Sequence, residues 1–535
     1  MPAAAPSGAR DRVALYVLQA GAIAVVLIAM PYKAFDLDRY FVPKELVLHL
    51  CAAIAAIRII AKRGQITMRS IDFLLALFLI ESAVSAAFAT NGWAAERALA
   101  ISISGAALFW VASALGRSGL TRPLLFALAI AVVVAASTSL AQTYGVQSEY
   151  FSLNRVPGGT FGNRNFVAHL AAIGMPVVML MALTAPRGLG SVFAAISMAI
   201  VSATLFLSRS RAAWLAVIAV AIVVVVLGKM SWARWSDART IRRMLVLGIA
   251  AAMGVLGAIV LPNRLDWKSS SPYLDSAAGL VNYKEGSGRG RIVQYTNSLK
   301  MTRAHPVLGV GPGNWPVVYP KFASRNDPSM SQSSEGVTSN PWPSSDWAAY
   351  LSERGIVGIA LLLLVFFGLT IRAIRDFREG GGRDPERVLT PIALLGTLVA
   401  TAVVGAFDAV LMIAVPTFFV WTLAGALRPP SGGAEVEVRV PRFVAPVATI
   451  LAIIIIGRSA AQAGAIALAS TSTSLNSLVQ SSVLDPGNYR LRNRLAQTYI
   501  TRGDCTRARP QARAARDLFP SAAEPKRYIA QCGGR

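Results

Sequence analysis

"AISMAIVSATLFLSRSRAAWLAVIAVAIVVVVL", residues 195–227, places two apolar runs on either side of a short polar turn. In full the runs cover about 191–208 and 212–228, long enough for each to cross the roughly 30 Å hydrocarbon core of a bilayer as a helix. Similar runs recur along the chain, which is 54% hydrophobic and 15% charged, with a mean hydropathy of +0.53. Soluble domains carry about 25% charged residues. The pattern predicts an all-α polytopic membrane protein.

We count about thirteen transmembrane helices by the usual window length. The first is expected to be retained, because "MPYKAF" (Met30–Phe35) offers no small-residue cleavage site after it. The predicted spans are 13–31, 45–60, 71–89, 98–115, 124–142, 166–185, 191–208, 212–228, 244–261, 355–371, 389–407, 410–427 and 443–460.

Alternate connections between the spans are basic, as in Lys229–Arg243 and Arg372–Arg387. Cytoplasmic loops carry an excess of Lys and Arg, so these connections place the amino terminus in the cytoplasm. The same bias explains the net charge of +25 without a nucleic acid partner. We therefore expect a protein of the cytoplasmic (inner) membrane, with the loop 262–345 and the tail after Arg458 in the periplasm.

Some cations run against this bias. Arg209 and Arg211 lie in an outer turn between two spans, and Arg289 and Arg291 open a basic stretch of the outer loop. Charged side chains at membrane depth are costly and usually face a cavity or a partner. Two adjacent guanidiniums repel each other unless they share an anion, which favours an anion site. The alternative is interfacial snorkelling of the two side chains.

An enzyme at the outer face has no ATP or nucleotide sugars, so its substrate must arrive activated within the membrane. A polyprenyl diphosphate-linked sugar fits, because guanidinium matches phosphate oxygens bidentately. Arginine can stabilise the leaving group without a metal, and we predict no metal and no cofactor. The chain has three Cys, of which Cys505 and Cys532 lie in the tail and are able to pair in an oxidising compartment.

Four motifs in register resemble the O-antigen ligase and polymerase family, also called the Wzy/ligase family. The first is Arg291, then Tyr295 and "HPVLGVGPGNW" beginning ten residues after the Tyr. The others are "GGTFGNRNFVAHLAAIGMP" (Gly158–Pro176), "SRAAWL" (Ser210–Leu215) and "SSDWAAYLSERGIVGIALL" (Ser344–Leu362). The resemblance covers about 158–425.

The resemblance implies a GT-C-like fold and a metal-independent, inverting glycosyltransferase. Its donor would be an undecaprenyl diphosphate-linked glycan, and its acceptor a growing glycan or the lipid A core. Arg211 and Arg291 match the arginines that hold the donor diphosphate in the family, while Arg209 and Arg289 are neighbours placed to assist.

The sequence departs from the family at Ser344, where a His usually precedes the Asp-aromatic pair. A Ser hydroxyl is a poor base near neutral pH. Asp346, Glu353 and His305 are the candidate catalytic residues that replace it. The alternatives are a helix cap for Asp346 and a packing role for His305. His169, inside a span, is a further candidate, and its alternative role is that of a buried hydrogen-bonded side chain.

Further residues are candidates for sugar or loop contacts. Glycines in "GVGPGNW" allow close backbone approach to a ligand, or a turn that folds the loop back on the membrane. The aromatic side chains suit sugar stacking or interfacial anchoring. The lone carboxylate of Asp408 either pairs with an outer Arg or caps a solvated helix end. The contact candidates are Asn165, Gly311, Asn314, Trp315 and Trp347.

The tail resembles one tetratricopeptide repeat over Leu484–Pro520, with small residues where two helices would pack. Flanking helices from Ala461–Val483 and Ala522–Ala530 are expected to cap it. A binding role toward a protein partner and a packing role are equally compatible with the pattern.

The sequence thus divides into N-terminal helices (1–157), a ligase-like core (158–427, with the outer loop 262–345), a basic linker and last helix (428–460) and the helical tail (461–535). The tail favours a surface or exopolysaccharide polymerase slightly over a ligase. One alternative is a transporter or flippase for lipid-linked oligosaccharides, which would need polar residues along a path. The spans before residue 158 read as nearly uncharged, against that alternative. Another is a non-catalytic scaffold of polysaccharide assembly.

Overall fold

The computed structural model describes residues 8–32, 35, 37–61, 65–186, 188–267, 269–279, 286–324, 326–330, 341–379, 385–428, 435–472 and 474–533. Within these residues the chain is almost entirely helical. The helices form a bundle from which a long loop and a C-terminal tail extend at one end. This confirms the prediction of an all-α polytopic membrane protein.

Eleven helices of the described chain are long and apolar enough to cross a membrane. They are α2 (Asp38–Ile60), α3 (Ser70–Ala87), α4 (Gly92–Arg117), α5 (Thr121–Thr143), α6 (Arg164–Leu183), α7 (Leu189–Leu207), α8 (Arg211–Met230), α10 (Ala238–Val260), α14 (Asp346–Glu379), α15 (Pro385–Phe407) and α17 (Val444–Thr471).

Two further apolar helices stand where the first and twelfth spans are predicted. They are α1 (Gly8–Leu27) and α16 (Ala414–Ala426). With 13 residues, α16 is about 20 Å long and therefore shorter than the bilayer core of about 30 Å. It is buried throughout its length among other helices, so it needs no contact with lipid.

The remaining elements are short or lie outside the apolar bundle. The helices are α9 (Trp232–Trp235), α11 (Pro272–Ala278), α12 (Gly286–Ala304), α13 (Trp315–Val318), α18 (Leu475–Leu484), α19 (Tyr489–Thr501), α20 (Cys505–Leu518) and α21 (Ala523–Gln531). Two single 3-10 turns cover Gly159–Phe161 and Tyr319–Lys321. The strands β1 (Gln65–Met68) and β2 (Val436–Arg439) pair antiparallel.

The two-stranded ribbon joins the connection before α3 to the connection before α17, with Gln65 opposite Arg439. Next to it, Arg428 donates to Asp72 at 2.7 Å in a buried ion pair. These connections therefore lie at one end of the bundle, the ribbon end. The starts of α2, α4, α6, α8 and α14 lie at the other, the loop end.

Burial separates the central helices from the lipid-facing ones. α6 and α16 are buried along nearly their whole length. By contrast α8, α10 and α17 expose rows of large aliphatic side chains, including Ile222, Ile249 and Ile450. Such continuous apolar exposure is what a lipid-facing helix surface requires.

The helix α14 is broken at Gly355, whose φ of 64° is left-handed. The break frees backbone groups that bond to the loop following α12. Val310 N–H donates to the Ser352 carbonyl at 3.0 Å, and Ile356 N–H donates to the Pro306 carbonyl at 2.8 Å. The segment His305–Trp315 therefore packs against the break in α14.

The tail is a compact helical unit docked on the first spans. Buried alanines of α20, Ala508, Ala512 and Ala515, let it pack closely against α19. The flanking helices α18 and α21 pack on this pair. Leu491 and Leu495 of α19 share one apolar cluster with side chains of α2 and α17. The tail thus packs against the bundle.

Cys505 and Cys532 form a disulfide that joins the start of α20 to the end of α21. Replacing both with Ser should destabilise the tail by about 3 kcal/mol, because a cross-link between residues 27 apart in the chain restricts the unfolded tail. Amide hydrogen exchange in α19–α21 should therefore accelerate. Reductant should have the same effect on the natural protein and none on the double variant. Non-reducing mass spectrometry that finds both thiols free would contradict the pairing.

Candidate functional site

The turn between α7 and α8 directs two guanidiniums toward the outer loop. Arg209 has a left-handed φ of 53° between two buried serines, so its side chain leaves the turn rather than entering the bundle. Its Nε donates to the hydroxyl of Ser276 at 2.8 Å. Arg211, the first residue of α8, donates to the carbonyl of Gly279. Both arginines therefore contact α11 and the residue that follows it.

A third guanidinium joins them from the start of α6. Arg164 lies 5.0 Å from the ring centre of Trp267, and Arg209 lies 4.6 Å from the same ring. Burial lowers the pKa of the Arg209 guanidinium from its ordinary value, and the Asp275 carboxylate opposes this. Two guanidiniums thus flank one indole, and the Asp275 carboxylate lies near Arg209. This charge excess favours binding of an anion.

Arg291 reaches the same region from α12. Its Nε donates to the carbonyl of Phe407 at 3.2 Å, at the end of α15. One turn later, the hydroxyl of Tyr295 lies 2.7 Å from the Ala406 carbonyl and 3.0 Å from the Ser344 carbonyl. These contacts dock α12 on the end of α15. Arg289, two residues earlier, is exposed.

A buried histidine links Arg291 to the α7–α8 turn. His169 Nε2 lies 3.9 Å from Asp408 Oδ2 and 3.4 Å from the hydroxyl of Ser210. Asn165, on the preceding turn of α6, donates its Nδ2 to Asp408 Oδ2 at 3.5 Å. Asp408 directly follows Phe407, the residue that Arg291 contacts. The arginine cluster, defined as Arg164, Arg209, Arg211 and Arg291, therefore lies at the loop end near His169 and Asp408.

The predicted catalytic carboxylates hold loops in place. Asp346 is fully buried, and its oxygens accept hydrogen bonds from the N–H groups of Val410 (3.0 Å) and Leu411 (2.9 Å). These bonds anchor the segment after α15. They do not cap the first turn of α14, which was the alternative role considered for Asp346. Glu353 accepts from the N–H groups of Gly313 (2.9 Å) and Trp315 (3.0 Å). Both carboxylates thus contribute to folding.

His305 lies away from the arginine cluster. It is exposed just past the carboxyl end of α12, fourteen residues beyond Arg291. At 1.5 Å per residue this separation is about 21 Å along the helix. Because the side chain of His305 is exposed, the structure gives no support to the packing role considered for it.

The residues predicted to contact sugar or the loop are mostly packed inside the protein. Gly311 N–H donates to the Glu353 carbonyl at 2.8 Å, and the side-chain oxygen of Asn314 accepts from Asn91 N–H at 2.7 Å. The indole of Trp315 donates to Ser298 at 2.9 Å. The indole of Trp347 donates to the Ala402 carbonyl at 3.1 Å. These contacts match a turn that folds the loop back on the bundle.

The interpretation of the first spans as nearly uncharged is wrong. Glu45 of α2 pairs with Arg97 of α4 at 2.7 Å, and the buried Lys44 donates to the Ile28 carbonyl at 2.7 Å. Periodicity did not reveal these pairs, because single charges near span ends look like interfacial residues. Glu45 and Arg97 line a cavity of about 350 Å³ at the loop end, closed on one side by the tail.

A comparison with models of protein families matches residues 196–363 to the family described as O-Antigen ligase. The match contains the α7–α8 turn, the outer loop and the break in α14, and is narrower than the 158–425 covered by the resemblance. Arg164, His169 and Asp408 lie outside it. No match is found among curated proteins. The family match agrees with the motifs, and residues 196–363 of the chain are thus similar to the O-antigen ligase family.

Proposed function

We propose that the arginine cluster binds the diphosphate of an undecaprenyl diphosphate-linked glycan and that the protein transfers this glycan to an acceptor sugar. The observation that carries the proposal is the convergence of Arg209 and Arg211 with Arg291, about eighty residues later, around His169 and Asp408. Several guanidiniums with few carboxylates suit a ligand of two linked phosphates.

The chemistry follows from this placement. The acceptor hydroxyl oxygen attacks the anomeric carbon while the bond from that carbon to the phosphate oxygen breaks on the opposite face, which inverts the configuration. The electron pair of the broken bond stays on the lipid diphosphate. Guanidiniums at that diphosphate stabilise the developing charge without a proton donor or a metal ion. The acceptor proton must pass to a base.

Asp408 is the residue best placed to receive that proton in this protein. Tyr295 contacts the carbonyls of both Ala406 and Ser344, so Asp408 stands near the position where the family carries its His. Its carboxylate is partly exposed, unlike that of Asp346 or Glu353. His169 and Asn165 contact Asp408 from behind and orient it. A carboxylate in reach of the attacking hydroxyl can act as a general base.

Replacing Asp408 with Asn should lower kcat for glycan transfer about a hundredfold, because the amide cannot accept the proton. Donor lipid should bind with nearly unchanged affinity, since the arginines remain. The measurement is single-turnover transfer in proteoliposomes with undecaprenyl diphosphate oligosaccharide. The comparison variant Asp346→Asn should lower the melting temperature instead, since it weakens the bonds to Val410 and Leu411. A natural turnover rate in Asp408→Asn would reject the assignment.

The proposal places the loop end and the tail at the outer face of the cytoplasmic membrane. Its support is the basic character of the connections at the ribbon end and the disulfide of the tail, which persists in oxidising compartments. Labelling of single cysteines placed at Arg289 and at Arg387 from outside intact cells should modify the first position only. If only Arg387→Cys were labelled, the orientation of the protein would be opposite to the proposed one.

Transport of lipid-linked glycans remains the competing function, and the half-buried Glu45–Arg97 pair is the kind of polar feature it needs. That pair lies near the loop end of α2 and α4, facing the cavity. This position at one end of the bundle supports a binding site there rather than a path through the membrane. Deletion of the protein should therefore cause donor lipid to accumulate in the outer leaflet; accumulation in the inner leaflet would favour transport.

A further inference from the structure

The tail closes a cavity over the loop end of the bundle. Its floor is formed by the starts of α2 and α4, by Gly313 of the loop and by the Leu411–Ile413 segment. Its roof is formed by the connection between α18 and α19 and by Phe519 after α20. Asn91 donates its Nδ2 to the Leu518 carbonyl at 3.1 Å, which fixes the roof on the α3–α4 connection. Residues of the tail thus complete the wall of this cavity of about 350 Å³.

Charges of both signs line this cavity in equal number. The carboxylates are those of Asp38, Glu45, Glu353 and Asp485, and the guanidiniums are those of Arg97, Arg354, Arg458 and Arg490. Burial raises the pKa of the Asp485 carboxyl from its ordinary value. The balance contrasts with the arginine cluster, which is strongly cationic. A diphosphate fits the cluster, whereas a neutral polar ligand fits the cavity.

Two guanidinium donors in the wall make no hydrogen bond, although one of them, Arg354 Nη1, lies 3.8 Å from Glu353 Oε2. Arg354 is 2% exposed, and its Nη1 makes no hydrogen bond, although its Nε and Nη2 bond to Ser82 and Ser102 at 3.0 Å. The Nε of Arg458 is likewise buried without a hydrogen bond. Buried guanidinium N–H groups are costly to leave unsatisfied. The guanidinium side chains of the wall are thus a source of donors for a ligand with several acceptor oxygens.

Aromatic side chains complete the lining. Trp93, Trp342, Tyr350 and Tyr489 all face the cavity. Aromatic rings offer apolar area, and the surrounding carboxylates and guanidiniums offer acceptors and donors. A carbohydrate presents both kinds of surface, with C–H faces and a ring of hydroxyl groups. Predominantly apolar pockets with a few convergent polar groups are typical of small-molecule sites.

The cavity adjoins the arginine cluster. Leu411, in its wall, follows Asp408 by three residues, a distance of at most about 10 Å along the chain. The rings of Phe41, Phe166 and Trp342 pack between the two sites, and Phe166 also contacts His169. Phe166 and His169 thus connect the wall of the cavity to Asp408.

We propose that this cavity binds an uncharged saccharide, a part of the acceptor glycan next to its reacting end, and that the tail is the part of the protein that encloses it. The acceptor role of this saccharide rests on the proposed transferase function, whereas binding of the saccharide does not. The tail residues that face the saccharide are Asp485, Asn488, Tyr489 and Arg490. Asp485 accepts hydrogen bonds from saccharide hydroxyls, and Arg490 donates to its oxygens.

The test measures binding of oligosaccharides, released by partial acid hydrolysis from the surface polysaccharide of the cells that make the protein. Calorimetry with the full chain in lipid nanodiscs gives their affinity. Asp485→Asn and Arg490→Ala should each weaken binding about tenfold, the effect of losing a charged hydrogen bond. In transfer assays they should raise the KM for acceptor and leave kcat near its natural value.

Matched variants on the exposed face of the same tail are the controls. Asp517→Asn and Arg494→Ala lie outside the cavity and should leave affinity and KM unchanged. All four variants should keep the natural melting temperature. The proposal is overturned by natural affinity in both cavity variants, by equal weakening in the controls, or by failure of the natural protein to bind the oligosaccharides. Weakened binding with an unchanged acceptor KM would overturn the acceptor role.

The variant Arg211→Ala separates this inference from the proposed function. It should abolish transfer while oligosaccharide affinity stays natural, because Arg211 does not line the cavity. Suppose that Arg211→Ala and Arg291→Ala both transfer glycan at the natural rate, while changes at Asp485 and Arg490 still weaken oligosaccharide binding. That result would reject the transferase mechanism and retain the saccharide site.

Discussion

Replacing Arg211 or Arg291 with Ala should reduce glycan transfer about a thousandfold. In the proposed mechanism each change removes a fixed cation from the place where the leaving diphosphate gains charge, and one such donor contributes about two to three powers of ten to the rate. The assay is transfer from undecaprenyl diphosphate oligosaccharide in proteoliposomes. In cells that lack the natural copy, either variant should abolish the extended surface glycan.

Two comparisons show whether the loss is specific. Arg289→Ala removes an exposed neighbour of Arg291 and should cost less than tenfold, the scale of an exposed charge. Arg211→Lys and Arg291→Lys keep the charge but lose the planar fork, so their activity should fall between natural protein and alanine variants. Natural amount and length of surface glycan in both alanine variants would defeat the mechanism.

Replacing Gly355 with Ala should strongly destabilise the bundle. The added methyl group would overlap the carbonyl oxygen of Val307, which belongs to the loop seated in the α14 break. The left-handed φ at this position adds strain for any residue with a side chain. Together we expect a loss of about 3 kcal/mol or more. Thermal unfolding in detergent and transfer activity should both show it.

The control for this prediction is Gly248→Ala in α10, where an added methyl group meets no other atom within 4 Å. Alanine favours a helix over glycine by about 1 kcal/mol, so this variant should be as stable as the natural protein or slightly more stable. Comparable loss of stability in both variants would show that the α14 break is not special. A natural melting temperature in Gly355→Ala would show that the loop can move away from the α14 break without loss of stability.

The motifs of the sequence led to part of the candidate site and missed the rest. Arg209, Arg211 and Arg291 stood out because cations at an outer turn oppose the charge bias of membrane insertion. Asp408 and His169 did not stand out as a pair, since 239 residues separate them and each has an ordinary explanation on its own helix. Only the packing of α6 against α15 brings them together.

The interpretation of Glu353 shows the opposite difficulty. A carboxylate near a predicted active loop is a reasonable catalytic candidate, but the structure uses both of its oxygens to hold the backbone of that loop. The interruption of α14 at Gly355 was equally invisible, because "ERGIVGIALL" continues the apolar pattern of a helix. A left-handed glycine inside such a pattern carries no signal of its own.

The sequence by itself determined that this chain crosses a membrane repeatedly as helices, because lipid leaves backbone N–H and C=O groups no other partners than their own helix. Run length and loop charge suffice for that conclusion, since both are local quantities. Tertiary structure alone decided which polar residues share a space: the arginine cluster around His169 and Asp408, and the cavity under the tail. Contacts between helices depend on which faces pack together, and a linear pattern of apolar residues does not specify those partners.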